Sequence, residues 1–251
     1  MTSVQGTDVD IPTEDGVADA YLVHPADGAP HPGVLLYMDA FGLRPQLRSM
    51  ADRLAEAGYT VLVPNVFYRT GRAPVLDLPD FIDDEARPAV FKVIGPIIGS
   101  LTPDLTMPDA GAYLRWLSAR PETAEGPMGV TGYCLGARLA LLTAGTYPDL
   151  VAAAAGFHGG GLATDDPNSP HLVADHVKAE LYFGHADGDR SMPPEQVERL
   201  EEVLTAAGVR HRGEVYPGAS HGYTQADTSE YDREADDRHW AALLDLLGRT
   251  L

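Results

Sequence analysis

Short apolar runs alternate with helix-like stretches along most of this chain of 251 residues. The runs "VLLYM" and "TVLVP" are almost continuously apolar, as expected of strands that are buried on both faces of a sheet. Between such runs, apolar residues recur at helical spacing, and several of these stretches end at a glycine or just before a proline. This alternation predicts an α/β fold, a mostly parallel sheet with helices on both faces.

The predicted strands lie within 33–42, 60–66, 128–133, 151–159, 178–187 and 210–222, and the predicted helices within 47–59, 109–120, 134–147, 193–208 and 232–251. One segment, 69–108, breaks this rhythm because it is rich in proline and interrupted by glycine. A loop of that length inside a compact domain is usually functional. We therefore predict a single domain over residues 1–251 with a lid-like insertion at about 69–108.

The only cysteine of the chain lies in "GVTGYCLGARL", which begins at Gly129. Gly132 precedes Cys134 by two positions and Gly136 follows it by two, at the junction of a predicted strand and a predicted helix. This is the spacing of a nucleophile elbow, with sulfur in place of the usual serine oxygen. The start of the helix favours a thiolate and a developing oxyanion. The alternative is an inert, buried cysteine.

A nucleophile at such an elbow needs a histidine and an acid further along the chain, in the order nucleophile, acid, histidine. His221 lies in the glycine-bounded loop "GASHGY" after a predicted strand, whereas His211 and His239 are expected on the surface. Two carboxylates, Asp187 and Asp189, follow the strand in "LYFGHADGDRSMPPEQ". From their position alone, either aspartate could orient the imidazole, or cap the next helix.

Several motifs together carry a family resemblance over about residues 10–250. They are "MDAFG", "PNVFYR", "GYCLG", "ADGDRSMP" and "GASHGY", in this order along the chain. With these motifs the chain resembles the dienelactone hydrolase family of α/β-hydrolases. The resemblance implies an α/β-hydrolase fold and the hydrolysis of an ester or lactone without a metal or an organic cofactor.

The resemblance also implies roles for individual residues. Cys134 would be the nucleophile, His221 would transfer the proton, and Asp189 rather than Asp187 would be the acid. The backbone N–H groups of Leu135 and Ala40 would form the oxyanion hole. Asp39 stands where the family has a glutamate that influences the thiol, one methylene shorter.

The residues expected to contact the substrate are Arg69, Tyr133, His158 and Gln225. Gln225 occupies the position of a substrate-binding arginine of the family, four residues after His221. A bidentate clamp on a substrate carboxylate is therefore at least half missing. We expect a neutral ester or another lactone as substrate, unless Arg72 or Arg87 in the insertion supplies the missing cation.

The chain is acidic, with 37 acidic against 18 basic residues and a net charge of −19. Nucleic acids and anionic membranes are therefore unexpected partners, because phosphate binding needs a basic surface. No apolar run approaches the roughly 20 residues of a membrane span, and the polar, acidic N-terminus lacks signal-peptide features. We expect a cytoplasmic monomer or small homo-oligomer.

Two other functions are compatible with the same residues. The chain could be a ligand-binding α/β-hydrolase without turnover, with Asp39 too short to support the thiol. It could also be a redox-sensing thiol protein, although its single cysteine would then need an external thiol as resolving partner.

Overall fold

The computed structural model describes residues 2–251; Met1, the first residue of the predicted domain, lies outside this range. The strands are β1 (Val4–Thr13), β2 (Gly16–Pro25), β3 (Gly33–Tyr37), β4 (Thr60–Pro64), β5 (Met128–Tyr133), β6 (Val151–Phe157), β7 (Glu180–Ala186) and β8 (His211–Tyr216). The helices are α1 (Pro45–Glu56), α2 (Arg87–Gly99), α3 (Pro103–Ser118), α4 (Leu135–Thr146), α5 (Pro194–Ala206) and α6 (Arg233–Thr250), and a 3₁₀ helix covers Pro170–His176.

The eight strands form one sheet in the order β1-β2-β4-β3-β5-β6-β7-β8. Strands β3 to β8 are mutually parallel, while β1 and β2 pair antiparallel with each other and β2 pairs antiparallel with β4. Every residue of β3, β4 and β5 is buried, which explains their nearly continuous apolar sequences. The predicted mostly parallel sheet is confirmed.

Helices cover both faces of the sheet, as the end of β5 shows directly. Successive side chains on a strand point to opposite faces. The position of a Cβ on Gly132 faces the first turn of α4, and the hydroxyl of the next residue, Tyr133, contacts His239 of α6. Helices α4 and α6 therefore lie on opposite faces. Within residues 2–251, no helix combines the length and the apolar character that crossing a bilayer requires.

The structure adds two features to the predicted order. A hairpin of β1 and β2 precedes the first predicted strand and extends the sheet at one edge. The segment 69–108 contains the whole of α2 and the first turns of α3, so the third helix begins at Pro103 and not at the predicted Asp109. The boundaries differ because Pro103 opens the first turn and Pro108 lies inside the helix, where a proline would ordinarily mark a break.

Candidate active site

A sharp turn joins β5 to α4 and presents the sulfur of Cys134. This residue is the N-cap of α4 and has a φ of 53° and a ψ of −111°. Among residues 2–251, Cys134 and His158 are the two non-glycine residues with a positive φ. Such backbone conformations are unfavourable for a residue with a Cβ, and they cluster at functional sites.

The two glycines beside the cysteine are required by close backbone contacts. A Cβ at Gly132 would stand 2.1 Å from the carbonyl oxygen of Gly136, and a Cβ at Gly136 would stand 2.6 Å from that of Tyr37. Neither separation is possible for real atoms, and backbone atoms cannot move aside as a flexible side chain can. The glycines thus let α4 begin directly against β3 and β5, with Cys134 at its N-terminus.

Asp189 and not Asp187 is the carboxylate that contacts the imidazole of His221. Asp189 Oδ2 lies 2.6 Å from His221 Nδ1, and its Oδ1 accepts hydrogen bonds from the backbone N–H of Ser191 at 2.8 Å and the Ser191 hydroxyl at 2.7 Å. Asp187 instead accepts the backbone N–H of Gly218 at 2.9 Å. Both oxygens of the Asp189 carboxylate are therefore held, and one of them fixes the ring of His221.

Electrostatic contacts stabilise the charged forms of His221 and Asp189. Burial disfavours a charged His221, but the sulfur of Cys134 and the carboxylate of Asp189 outweigh it and raise the pKa of His221 to about 10. Burial also opposes ionisation of Asp189, yet His221 and Ser191 lower the pKa of this carboxyl to about 2. Since Asp189 occupies Nδ1, Nε2 is the ring nitrogen that is left to face Cys134.

A small cavity of about 30 Å³ lies beside the sulfur and the imidazole. Its walls come from the loops that follow β3, β5, β6 and β8, together with α2: Asp39, Ala40, Phe41, Arg87, Phe91, Cys134, His158, His221, Gly222, Gln225 and Thr228. A larger cleft of about 520 Å³ lies on the other side of Phe41, but neither Cys134 nor His221 lines it. The smaller cavity, at the carboxyl ends of the parallel strands, is therefore the candidate active site.

The backbone N–H groups of Leu135 and Ala40 are the two that the sequence analysis assigned to an oxyanion hole. Leu135 is the first residue of α4 and follows the sulfur-bearing residue directly. Ala40 lies in the loop after β3 and lines the cavity. Within the described chain, neither N–H donates to a backbone carbonyl. Free N–H groups at the beginning of a helix and in a loop are the usual donors of an oxyanion hole.

Comparisons with known proteins agree with this geometry. A family model described as "Dienelactone hydrolase family" matches residues 18–251. The chain belongs to the dienelactone hydrolase family. It is a hydrolase of this family, whose members act on ester or lactone bonds.

Individual relatives and solved structures match almost the full length of the chain. A Methylorubrum extorquens protein with the name "Putative carboxymethylenebutenolidase" is 27% identical over 95% of this chain and 79% of its own. The carboxymethylenebutenolidase of Rhodococcus opacus is 28% identical over 81% of this chain and 74% of its own. A Klebsiella pneumoniae structure titled "Putative Dienelactone Hydrolase" superimposes with a TM-score of 0.85 at 24% identity, covering 98% of this chain and 99% of the other. The fold is the α/β-hydrolase fold.

In this family member, Asp39 is bound to an arginine and not to the thiol. Asp39 Oδ1 accepts from Arg44 Nη1 at 2.7 Å and from the backbone N–H of Phe41 at 2.9 Å, while Oδ2 accepts from Arg44 Nη2 at 3.0 Å. Gln225 lines the cavity, and its Oε1 accepts from Arg44 Nη2 at 3.0 Å. These contacts make Asp39 a partner of Arg44, and the influence of Asp39 on the thiol that the sequence suggested stays a prediction.

His158 lies against the imidazole of His221. Its Nε2 is 2.8 Å from the hydroxyl oxygen of Thr224, and its ring is 5.4 Å from the ring of His221. Burial, together with the neighbouring charge of His221, lowers the pKa of His158 well below its usual range. His158, which the sequence analysis predicted to contact the substrate, therefore lies on the cavity wall as a neutral ring.

Two predicted substrate contacts lie elsewhere in the hydrolase. Arg69 binds Asp109 at 2.6 Å and Asp15 at 2.7 Å and does not line the cavity. Tyr133 points to the opposite face of the sheet, because strand residues alternate and its neighbour faces α4. Its hydroxyl contacts His239 Nε2 at 3.0 Å. Neither Arg69 nor Tyr133 lines the cavity beside Cys134, in contrast to the substrate contacts predicted for them, and His239, expected on the surface, is fully buried.

Ser191 was not selected from the sequence, and Arg87 was named there only as an alternative cation in the insertion. Ser191 holds the second oxygen of Asp189, and the signal for it was the Asp-x-Ser spacing, which is typical of a side chain that bonds the backbone two residues on. Arg87 from α2 lines the cavity; its Nη1 donates to Glu230 at 2.9 Å. Its buried Nε has no hydrogen-bond partner within residues 2–251. Arg87 thus adds to the cavity wall a side chain with one buried, unpaired donor.

Proposed function

We propose that this hydrolase cleaves an ester or lactone through Cys134, His221 and Asp189, with a thioester as the acyl-enzyme. The observation that carries the proposal is the contact of 2.6 Å between Asp189 Oδ2 and His221 Nδ1. It directs the other ring nitrogen toward the sulfur at the β5–α4 turn. A nucleophile, a base and an orienting carboxylate in this arrangement are the parts that covalent acyl transfer needs.

The reaction has two halves. In the first, the sulfur of Cys134 attacks the carbonyl carbon, and the electron pair of the C=O bond moves to oxygen. When the tetrahedral intermediate collapses, the C–O bond to the leaving group breaks, and His221 donates its proton to the leaving alkoxide. In a lactone, this alkoxide stays attached to the acyl group. In the second half, His221 takes a proton from water, the hydroxide attacks the thioester, and the C–S bond breaks to release the carboxylic acid.

The oxyanion of both intermediates would be held by the N–H groups of Leu135 and Ala40. One such donor is worth about 2.7–4 kcal/mol of transition-state stabilisation. Both groups are free, and both are fixed by the backbone, one in the first turn of α4 and the other in the loop after β3. They therefore need little reorganisation during the reaction.

Replacing each of the two candidate aspartates by asparagine tests which of them is the acid. Asp189→Asn is expected to lower kcat/KM for p-nitrophenyl acetate by about 10³- to 10⁴-fold, because an amide cannot stabilise the imidazolium and favours the wrong tautomer. Asp187→Asn is the matched control, and it should change kcat/KM by about twofold or less, since an amide oxygen can still accept the N–H of Gly218.

The pH profile provides a second measurement on the same variants. For an ester with an alkyl leaving group, the alkaline limb of kcat/KM in the wild type should lie near pH 10, where His221 loses the proton that the leaving alkoxide needs. Asp189→Asn removes one of the charges that raise this pKa, so the limb should move to lower pH. A larger loss in Asp187→Asn than in Asp189→Asn would contradict the assignment of the acid.

The free Nε of Arg87 favours a substrate with an anionic group. A guanidinium whose Nη1 is held by Glu230 still has its Nε edge available for a carboxylate. We expect mono-p-nitrophenyl succinate to be preferred over p-nitrophenyl butyrate, and Arg87→Gln to reduce this ratio of kcat/KM values by about tenfold. Arg72→Gln is the matched control, because Arg72 lies in the same segment but is exposed and paired with Asp10. An unchanged ratio in Arg87→Gln would instead support the neutral substrate predicted from Gln225.

A further inference from the structure

Arg44 is a buried cation that touches both sides of the active site. It immediately precedes α1, and the exposed fraction of its side chain is only 6%. Besides Asp39, it binds Asp227 through Nε at 2.5 Å and through Nη2 at 3.0 Å. Its Nη2 also reaches Gln225 at 3.0 Å, and its Nη1 reaches the carbonyl oxygen of Gly42 at 3.2 Å. All three nitrogens of the guanidinium are therefore used, and none is left to bind a substrate.

On one side, Arg44 fixes the loop that presents an oxyanion donor. The fork formed by Nη1 and Nη2 spans both oxygens of Asp39. Asp39 in turn accepts the backbone N–H of Phe41 through its side chain, and that of Gly42, at 3.3 Å, through its carbonyl oxygen. These bonds close a tight turn around Ala40. The orientation of the Ala40 N–H therefore depends on the rotamer of Asp39, which Arg44 sets.

On the other side, Arg44 fixes the loop that follows the catalytic imidazole. Gln225 and Asp227 lie four and six residues after His221. Gln225 Nε2 donates to the hydroxyl oxygen of Thr224 at 2.9 Å, and the same oxygen contacts His158. One side chain thus joins the loop of the oxyanion donor to the loop of the base, across the cavity.

Arg44 also neutralises a charge beside the sulfur. Asp39 lines the same cavity as Cys134, and the other titratable groups on this wall are Arg87, His158 and His221. An unpaired carboxylate there would oppose ionisation of the thiol, because like charges in a partly buried site repel strongly. In the observed arrangement Arg44 pairs with Asp39 and with the more exposed Asp227, so its single charge offsets one of two carboxylates.

We propose that Arg44 is a positioning residue for the hydrolase: by holding Asp39 it orients the Ala40 N–H toward the oxyanion and keeps the Asp39 charge away from the sulfur. This inference rests on the proposed function, since it assumes an ionised Cys134 and an oxyanion at Ala40. It assigns to Asp39 a supporting role that depends on Arg44.

The test compares Arg44→Met with the double variant Arg44→Met/Asp39→Asn, using p-nitrophenyl acetate from pH 5 to pH 10 below the melting temperature of each protein. Arg44→Met should lower kcat by about 10- to 100-fold, which is part of the rate loss expected when one oxyanion donor is removed. KM should change by about threefold or less. The acid limb of its kcat/KM profile should move up by about one pH unit, because Asp39 now lacks its counterion.

The double variant should reverse both effects. The amide that Asp39→Asn introduces carries no charge, so the acid limb should return to the wild-type position. The oxygen of this amide can still accept the N–H of Phe41, so kcat should recover by about tenfold over Arg44→Met. Arg44→Lys keeps the charge but loses the planar fork, so it should leave the acid limb in place and lower kcat by about fivefold or more.

Asp109→Asn is the control for lost stability. Asp109 is equally buried and pairs with Arg69 and Tyr68, away from the cavity. Its replacement should lower the melting temperature but change kcat by about twofold or less. The inference about Arg44 is overturned if Arg44→Met lowers only the melting temperature, or if the double variant is no better than the single one. If Arg44→Met fails to fold, a wild-type kcat in Arg44→Lys overturns it as well.

The two proposals fail in different ways. Turnover that depends on Cys134 but is indifferent to Arg44 would refute only the positioning role. Turnover that survives replacement of Cys134 would refute the proposed mechanism, and the positioning role with it.

Discussion

Gly132→Ala is expected to lower the free energy of unfolding by about 3 kcal/mol or more, or to prevent folding altogether. The new methyl group would lie 2.1 Å from the carbonyl oxygen of Gly136 and 2.2 Å from its carbonyl carbon. Both are backbone atoms of α4, so the helix would have to move away from β5. Urea unfolding followed by circular dichroism measures the loss, and any folded protein should show little turnover because the sulfur moves with the helix.

Gly95→Ala is the matched glycine replacement. A Cβ at Gly95, inside α2, would meet no atom within 4 Å other than atoms of its two chain neighbours and of the adjacent helix backbone. Alanine favours a helix over glycine by about 1 kcal/mol, but Pro96 disfavours a helical residue with a Cβ directly before it, so the stability of this variant should lie within about 1 kcal/mol of the wild type. If Gly132→Ala were as stable as Gly95→Ala, the close approach of α4 to β5 would be wrong.

Cys134→Ala is expected to reduce kcat/KM for p-nitrophenyl acetate by at least about 10⁴-fold, because removal of the nucleophile abolishes the covalent route. No other cysteine of the chain could replace the lost thiol. Cys134→Ser should retain more activity but remain at least about 10²-fold below the wild type, since a hydroxyl is far less ionised than a thiol. Both should keep the wild-type melting temperature to within a few degrees, which separates loss of chemistry from loss of fold.

The same variants distinguish the proposed function from its two alternatives. A ligand-binding protein without turnover would show no difference between the wild type and Cys134→Ala in the ester assay. A redox-sensing thiol would be oxidised by peroxide, with no catalysis by the reduced protein. Activity of Cys134→Ala within about tenfold of the wild type would contradict the mechanism.

Much of the fold was predictable because buried strands have nearly continuous apolar sequences. The runs that became β3, β4 and β5 are apolar throughout since both faces of these strands are covered. The turn around Cys134 was predictable for a different reason, which is that close backbone contacts admit only glycine at Gly132 and Gly136.

The differences between the predicted and the observed positions have equally specific causes. Tyr133 was expected at the substrate because it adjoins the nucleophile, although strand alternation turns it away from α4. His239 was expected on the surface, yet it precedes Leu243 by four residues and therefore shares the buried face of α6. In both cases the spacing of the residue along its strand or helix indicates which face it lies on. The chemical type of the residue alone suggested a different position.

The network around Arg44 could not be predicted because its members are far apart along the chain. Arg44 meets Asp227 across 183 positions and Gln225 across 181. Nothing in "LRPQ" distinguishes a buried arginine from an exposed one before a helix. Only the folded chain shows that three polar side chains satisfy it.

The most direct test of the central claim is to trap the acyl-enzyme. The wild type is mixed with p-nitrophenyl acetate, quenched with acid before the steady state, and analysed by mass spectrometry of the intact protein and its peptides. We expect one acetyl group, located on the peptide that contains Cys134, sensitive to neutral hydroxylamine as a thioester is, and absent from Cys134→Ala. A burst of p-nitrophenol with the acetyl group on another residue, or with no acetylated protein, would contradict nucleophilic attack by Cys134.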